Sequence, residues 1–139
     1  MSALDRPVFA ERVMAVERHL GRVRERLVGD PALFLPSTDA SDAVILHLWQ
    51  AIQIVIDLAV SACIHLKLGA PATYADTFHR LAAAGHLEHD LAARLVRAAG
   101  FRNVIAHAYA QLDMARVHRA ASEGPTDLMR FLAAVRTIV

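Results

Sequence analysis

The sequence has 139 residues, a formal net charge of +1 and a composition that is 55% hydrophobic and 21% charged. This length is sufficient for one domain with a substantial core, and the apolar composition excludes a disordered chain. The near-neutral charge excludes a strong overall attraction to duplex nucleic acid, so an RNA-binding role requires a local cluster of basic side chains. We therefore expect a single domain that spans residues 1–139.

The first predicted helix runs from about Pro7 to Val28. Its apolar residues recur in steps of three or four, and a proline is well tolerated in the first turn of a helix. The N-terminus has no basic start followed by an apolar stretch, which argues against a secretory signal. The single cysteine, Cys63, excludes an internal disulfide and is typical of a small core residue. These features predict a protein of the cytoplasm.

The second predicted helix, from about Ala40 to Leu68, is apolar on almost every side. Its length is enough to cross a membrane, which needs about 20 predominantly apolar residues. Polar residues interrupt it at helical spacing, and the charged Asp57 near its middle would be costly in lipid. We therefore predict no membrane insertion. A helix buried on most sides, partly by a second subunit, accounts for the pattern better.

The rest of the chain also has helical periodicity and no sustained alternation typical of strands. Thr73 is a predicted N-cap, and Gly124-Pro125 is a predicted break. The predicted segments are Tyr74–Ala84, Leu87–Ala110, Asp113–Ala121 and Pro125–Val139. The sequence thus predicts an all-α, up-and-down helical bundle with four main helices and short C-terminal helices.

The chemically informative residues lie near the end of the fourth predicted helix, in the string G-F-R-N-V-I-A-H-A-Y from Gly100 to Tyr109. On an ideal helical wheel the polar residues share one arc and the aliphatic residues share the other. The polar set is Arg102, Asn103, His107 and Tyr109. We expect the aliphatic arc to pack inward, and the polar arc to face a cleft or a partner.

This polar set is suited to cleavage of a phosphodiester bond without a metal. Such a reaction needs a base for the 2′-hydroxyl proton, an acid for the leaving oxygen and positive charge on the phosphate. Histidine, with an unperturbed pKa of about 6.5, can transfer protons at neutral pH, and arginine supplies a fixed cation. Asn103 is four residues from His107 and can contact it. Arg102 and His107 lie about 140° apart on the wheel, so we expect two copies of the chain to bring them together.

The string resembles the HepT family, the toxin branch of the HEPN superfamily, which is marked by R-x(4)-H-x-Y. In that family an asparagine usually follows the arginine, and Gly-Phe often precedes it, as Gly100-Phe101 does here. The segment from Tyr74 to Leu91 also resembles the family's segment before the motif helix, and Ile56-Asp57-Leu58-Ala59 resembles its second helix. The resemblance covers roughly residues 7–139.

This resemblance implies a HEPN-like bundle that forms a homodimer with the two motif helices facing each other. It implies an endoribonuclease toxin that cleaves RNA without a metal or cofactor. Arg102 and His107 correspond to the catalytic pair, and Asn103 to a supporting position. Tyr109 corresponds to a tyrosine to which the partner antitoxin, a minimal nucleotidyltransferase, adds AMP. A bulky anion beside Arg102 would block the RNA phosphate.

Two other functions remain open from the residues alone. The chain could be a non-catalytic helical module that binds a nucleotidyltransferase, or the substrate-holding subunit of a two-part nucleotidyltransferase. Asp57 is expected to be a paired buried acid, with an auxiliary role in the site as the alternative. His86 and His89 lack the pattern of partner ligands that a metal site requires, so no metal is predicted.

Overall fold

The computed structural model describes residues 4–139, which form five α-helices and two single 3-10 turns. The predicted all-α bundle is confirmed, and each of the first four helices begins and ends within a few residues of its predicted bounds. Residues 1–3 of the predicted domain lie outside the described residues. The helices are α1 (Arg6–Arg26), α2 (Asp39–His65), α3 (Tyr74–Ala83), α4 (His89–Ala108) and α5 (Met114–Arg136).

The central element is α2, which contacts all four other α-helices. It begins with a capping box, in which the Thr38 side chain accepts from the Ser41 backbone and the Ser41 hydroxyl accepts from the Thr38 backbone. With a mean hydropathy of 1.8, α2 passes the length and composition test for a membrane span. Its position at the centre of the core accounts for that apolar character, as predicted from the sequence.

The coverage of α2 by its own chain is incomplete. Leu46 is 46% exposed and Ile64 is 60% exposed, although both lie on this most apolar helix. Scattered exposed leucines and isoleucines are common on soluble proteins, so these two residues alone do not define an interface.

The inner face of α4 agrees with the helical wheel near the motif. Phe101 and Ile105 are buried, whereas Val104 and Ala108 are only half-buried. The aliphatic arc therefore holds the C-terminal half of α4 against the core. Gly100 is exposed, and a Cβ atom added there would lie more than 4 Å from every described residue outside its own helical turns. Close packing inside this chain is thus not the reason for a glycine at this position.

The predicted break at Gly124-Pro125 is wrong, because α5 continues through it as one helix from Met114 to Arg136. Proline removes one backbone hydrogen bond and crowds the preceding turn, which usually ends or kinks a helix. In α5, buried residues on both sides of Pro125, including Ala121 and Leu128, hold the two halves in one line against the core. Tertiary packing thus outweighs the local preference.

We expect Pro125→Ala to raise the free energy of unfolding by about 1–3 kcal/mol, because it restores the helical hydrogen bond to the Ala121 carbonyl. The gain is partly offset, because alanine also makes the unfolded chain more flexible. Urea denaturation measures the change, and Thr126→Ala at the neighbouring exposed position serves as the control. A less stable Pro125→Ala protein would show that the proline itself stabilises α5.

Candidate active site

The guanidinium group of Arg102 is held between α4 and α2. Its Nε donates a 2.7 Å hydrogen bond to Oε1 of Gln53, and its Nη1 donates a 3.1 Å bond to Oδ1 of Asn103. Arginine has five N–H donors, so the two Nη2 hydrogens and one Nη1 hydrogen have no partner within residues 4–139. The half-buried side chain is therefore oriented by the protein and can still bind an anion.

Two aromatic rings flank the same guanidinium. Its central carbon lies 6.0 Å from the ring centroid of Trp49 on α2 and 5.7 Å from that of Tyr74 on α3. Both distances are within the range of cation–π attraction. The indole Nε1 of Trp49 is buried and makes no hydrogen bond among the described residues. Three helices thus position Arg102.

Asp57 is linked to Arg102 through Gln53. The Nε2 of Gln53 donates a 2.9 Å hydrogen bond to Oδ1 of Asp57, one helical turn further along α2. This bond orients the amide so that its oxygen faces Arg102. The expectation that Asp57 is buried is wrong, because the residue is exposed and its carboxylate stays in water, where its charge costs little. Its connection to the candidate catalytic arginine is indirect.

Asn103 and His107 lie on the outer surface of α4, and both are exposed. Asn103 contacts Arg102, and no hydrogen bond joins it to His107. The imidazole of His107 has no hydrogen bond or ion pair to any residue from 4 to 139. The structure therefore does not bring Arg102 and His107 into contact within one chain, in agreement with their separation on the helical wheel.

Tyr109 lies outside α4, so its position on the helical wheel is wrong. The backbone of Ala108 leaves the helical conformation (φ −141°, ψ 37°), and Tyr109–Gln111 form a 3-10 turn. The Tyr109 hydroxyl donates a 2.6 Å hydrogen bond to Oδ1 of Asp42, in the first turn of α2. This bond, together with partial burial and the charge of Asp42, raises the pKa of the Tyr109 phenol. The residue is 49% exposed.

Sequence reasoning did not assign the residues that surround the motif. Gln53 and Trp49 lie on a helix that is apolar on almost every side, and its sequence pattern does not indicate which of its residues face Arg102. The contacts of Tyr74 and Asp42 with the motif could not be predicted from the sequence, because they join positions that are far apart in the chain. The motif string itself gave the position of the site.

The chain matches the family model described as "Ribonuclease HepT-like" over residues 16–135. It is 24% identical over 129 residues to a protein of Shewanella oneidensis named "mRNA nuclease HepT", covering 93% of this chain and 96% of that protein. The matched residues include the whole stretch from Arg102 to Tyr109, and the matched proteins are similar to this chain in length.

Two solved structures share the fold. A tri-AMPylated HEPN toxin of Shewanella oneidensis, in complex with an MNT antitoxin, superposes with a TM-score of 0.84, at 23% identity over 99% of this chain and 99% of that chain. A toxin–antitoxin structure with AMP-PNP gives a TM-score of 0.82, at 23% identity over 97% of this chain and 99% of that chain. The family model, which matches most of the sequence, shows that the chain belongs to the HepT-like ribonuclease family.

Proposed function

We propose that the whole chain acts as a metal-independent endoribonuclease, the toxin of a cytoplasmic toxin–antitoxin pair, with Arg102 and His107 as its catalytic residues. The observation that carries the proposal is the state of Arg102. A guanidinium within a family motif for RNA cleavage is fixed by two hydrogen bonds, and its remaining donors have no hydrogen-bond partner among residues 4–139.

The free donors of Arg102 are suited to the charge that develops during RNA cleavage. Attack of the 2′-oxygen on phosphorus places extra negative charge on the nonbridging oxygens. A positioned guanidinium stabilises that charge more than it stabilises the starting phosphodiester, which is the condition for acceleration. Gln53 and Asn103 reduce the freedom of the side chain, so less ordering is required in the transition state.

His107 supplies the proton transfer. Its exposed imidazole takes the proton of the 2′-hydroxyl, whose oxygen bonds to phosphorus as the bond to the 5′-oxygen breaks. The leaving oxygen takes up a proton from water, and the products are a 2′,3′-cyclic phosphate and a 5′-hydroxyl end. Guanidinium and imidazole groups together supply the charge and the base, so this reaction uses no metal. Asn103 supports the site through its hydrogen bond with Arg102.

The composite site requires a homodimer in which two α4 helices face each other. Four residues of α4 form an outward stripe within an arc of about 60°, and three of them are exposed. The stripe consists of Val96, Gly100, Asn103 and His107. The open space around Gly100 lets a second helix approach closely. The dimer then places His107 of one copy beside Arg102 of the other.

We further propose that a nucleotidyltransferase antitoxin neutralises the chain by adding AMP to Tyr109. The exposed hydroxyl lies on the turn that directly follows the motif helix. An added AMP group carries a negative charge that repels RNA phosphate, and Tyr109 lies two residues after His107. Its bulk also obstructs access to the groove between the two copies.

The purified, unmodified protein tests the cleavage proposal. With single-stranded RNA in excess EDTA, we expect cleavage that leaves cyclic phosphate ends, because no metal takes part. His89→Ala, at the other histidine of α4, is expected to cleave normally and serves as the matched control for His107→Ala, which is expected not to cleave. Intact RNA with folded wild-type protein would contradict the nuclease proposal and favour a non-catalytic binding module.

A further inference from the structure

We infer that Asp42 is the base that accepts the phenolic proton when Tyr109 is modified by AMP. The inference rests on the proposed modification and goes beyond it, because it gives this chain a catalytic residue in its own neutralisation. The two residues are 67 positions apart in sequence, yet the hydroxyl of Tyr109 donates directly to Oδ1 of Asp42 at 2.6 Å. A general base must lie within hydrogen-bonding distance of the atom whose proton it takes.

The transfer balances with adenosine triphosphate as the co-reactant. The Oη of Tyr109 forms a bond to the α-phosphorus, and the bond from that phosphorus to the oxygen of the β-phosphate breaks. Pyrophosphate leaves with the electron pair of the broken bond. The phenolic proton moves to Oδ1 of Asp42 and then to solvent. Since about half of the Tyr109 side chain is exposed, the oxygen can be approached while it is bonded to Asp42.

The electrostatics of the pair favour proton transfer during the attack rather than before it. The Asp42 carboxylate raises the pKa of the Tyr109 phenol, so the free phenolate is even rarer at neutral pH than for an ordinary tyrosine. As the oxygen bonds to phosphorus, it loses basicity and its proton passes readily to the carboxylate. Asp42 lies in the first turn of α2, where the helix dipole stabilises an anionic carboxylate.

Asp39 provides a matched control. It is a second acidic residue in the first turn of the same helix, it is exposed, and no hydrogen bond joins it to Tyr109. Asp39→Asn and Asp42→Asn therefore remove the same charge from the same turn. Only Asp42→Asn removes the proton acceptor while an oxygen remains in place to hold the phenol.

The experiment measures the rate of AMP addition to Tyr109 by mass spectrometry, with the chain, its cognate nucleotidyltransferase, ATP and Mg²⁺. We expect Asp42→Asn to slow the first addition by about 10²-fold or more, Asp39→Asn to modify at the wild-type rate, and Asp42→Glu to recover part of the rate. The rate of the Asp42→Asn protein should rise with pH more steeply than that of the wild type, because its phenol must ionise first. Melting temperatures establish that the variants are folded.

Two results would overturn the assignment. The first is a wild-type rate in Asp42→Asn, and the second is a reduction that is equal at every pH, which would make Asp42 a positioning residue only. A wild-type chain that gains no adduct on Tyr109 would overturn the proposed modification and the inference together. Loss of RNA cleavage in the wild type would affect only the nuclease proposal.

An ultraviolet titration checks the pair without the antitoxin. The chain has only two tyrosines, so a Tyr74→Phe background isolates the phenol of Tyr109. We expect its ionisation above the usual pH for tyrosine, and a shift back towards that value in Asp42→Asn. Identical titrations of the two proteins would show that the hydrogen bond is absent in solution and would overturn the inference.

Discussion

Mixed dimers of Arg102→Ala and His107→Ala chains are expected to cleave RNA, although dimers of either variant alone do not. In the proposed dimer each centre uses Arg102 of one copy and His107 of the other. A mixed dimer therefore keeps one complete centre and loses the second. We expect about half of the wild-type activity from the mixed dimer, and activity reduced by about 10²-fold or more in dimers of either variant alone.

A dimer that carries both substitutions on the same chain gives the sharpest control. Pairing a wild-type chain with the double variant Arg102→Ala/His107→Ala leaves each shared centre without one of its two groups. If the centres are shared, this dimer is inactive; if each chain supplies both groups to its own centre, it keeps half of the activity. Two affinity tags and sequential purification isolate each mixed dimer before RNA cleavage is measured.

Replacing Gln53 is expected to lower RNA cleavage by about 10- to 100-fold, because a displacement of about 1 Å in a reacting group can cost 10²-fold. Gln53→Ala removes the acceptor for the Nε of Arg102 and lets the guanidinium rotate. Gln53→Glu keeps an oxygen acceptor but places a negative charge against the arginine, so it weakens the attraction for phosphate. We expect both variants to lose activity, and the melting temperatures to change little.

Gln50 supplies the control for this experiment. It is a half-buried glutamine on the same helix, and no hydrogen bond joins it to Arg102 among the described residues. Gln50→Ala should cleave RNA at the wild-type rate. Full activity in Gln53→Ala would mean that the aromatic rings of Trp49 and Tyr74 suffice to position Arg102.

The helices of this chain other than α2 are predictable because their apolar residues recur every three or four positions; α2 is predictable from its long apolar stretch. The N-cap Thr73 was also predictable, and its side chain accepts from the Asp76 backbone as expected. The wrong prediction of a helix break at Gly124-Pro125 has a different origin. Propensity describes what a segment prefers when isolated, and the apolar residues of α5 pack strongly enough to override it.

Only the residues of the candidate site that lie close together in the sequence could be predicted. Arg102, Asn103 and His107 occupy neighbouring turns of one helix, so a string of ten residues could place them. Gln53 is 49 residues from Arg102, and no local pattern shows which polar residue of α2 faces it. The predicted position of Tyr109 is wrong because the helical wheel assumes that every residue is helical, and Ala108 is not.

The position of Trp49 beside Arg102 has a practical consequence, because Trp49 is the sole tryptophan of the chain. Its indole lies 6.0 Å from the guanidinium carbon, so the emission of the unlabelled protein arises beside the candidate site. An RNA phosphate or an AMP group that draws Arg102 away alters the field at that indole. Intrinsic fluorescence can therefore follow occupation of the groove in real time, without a dye and without any change to the sequence.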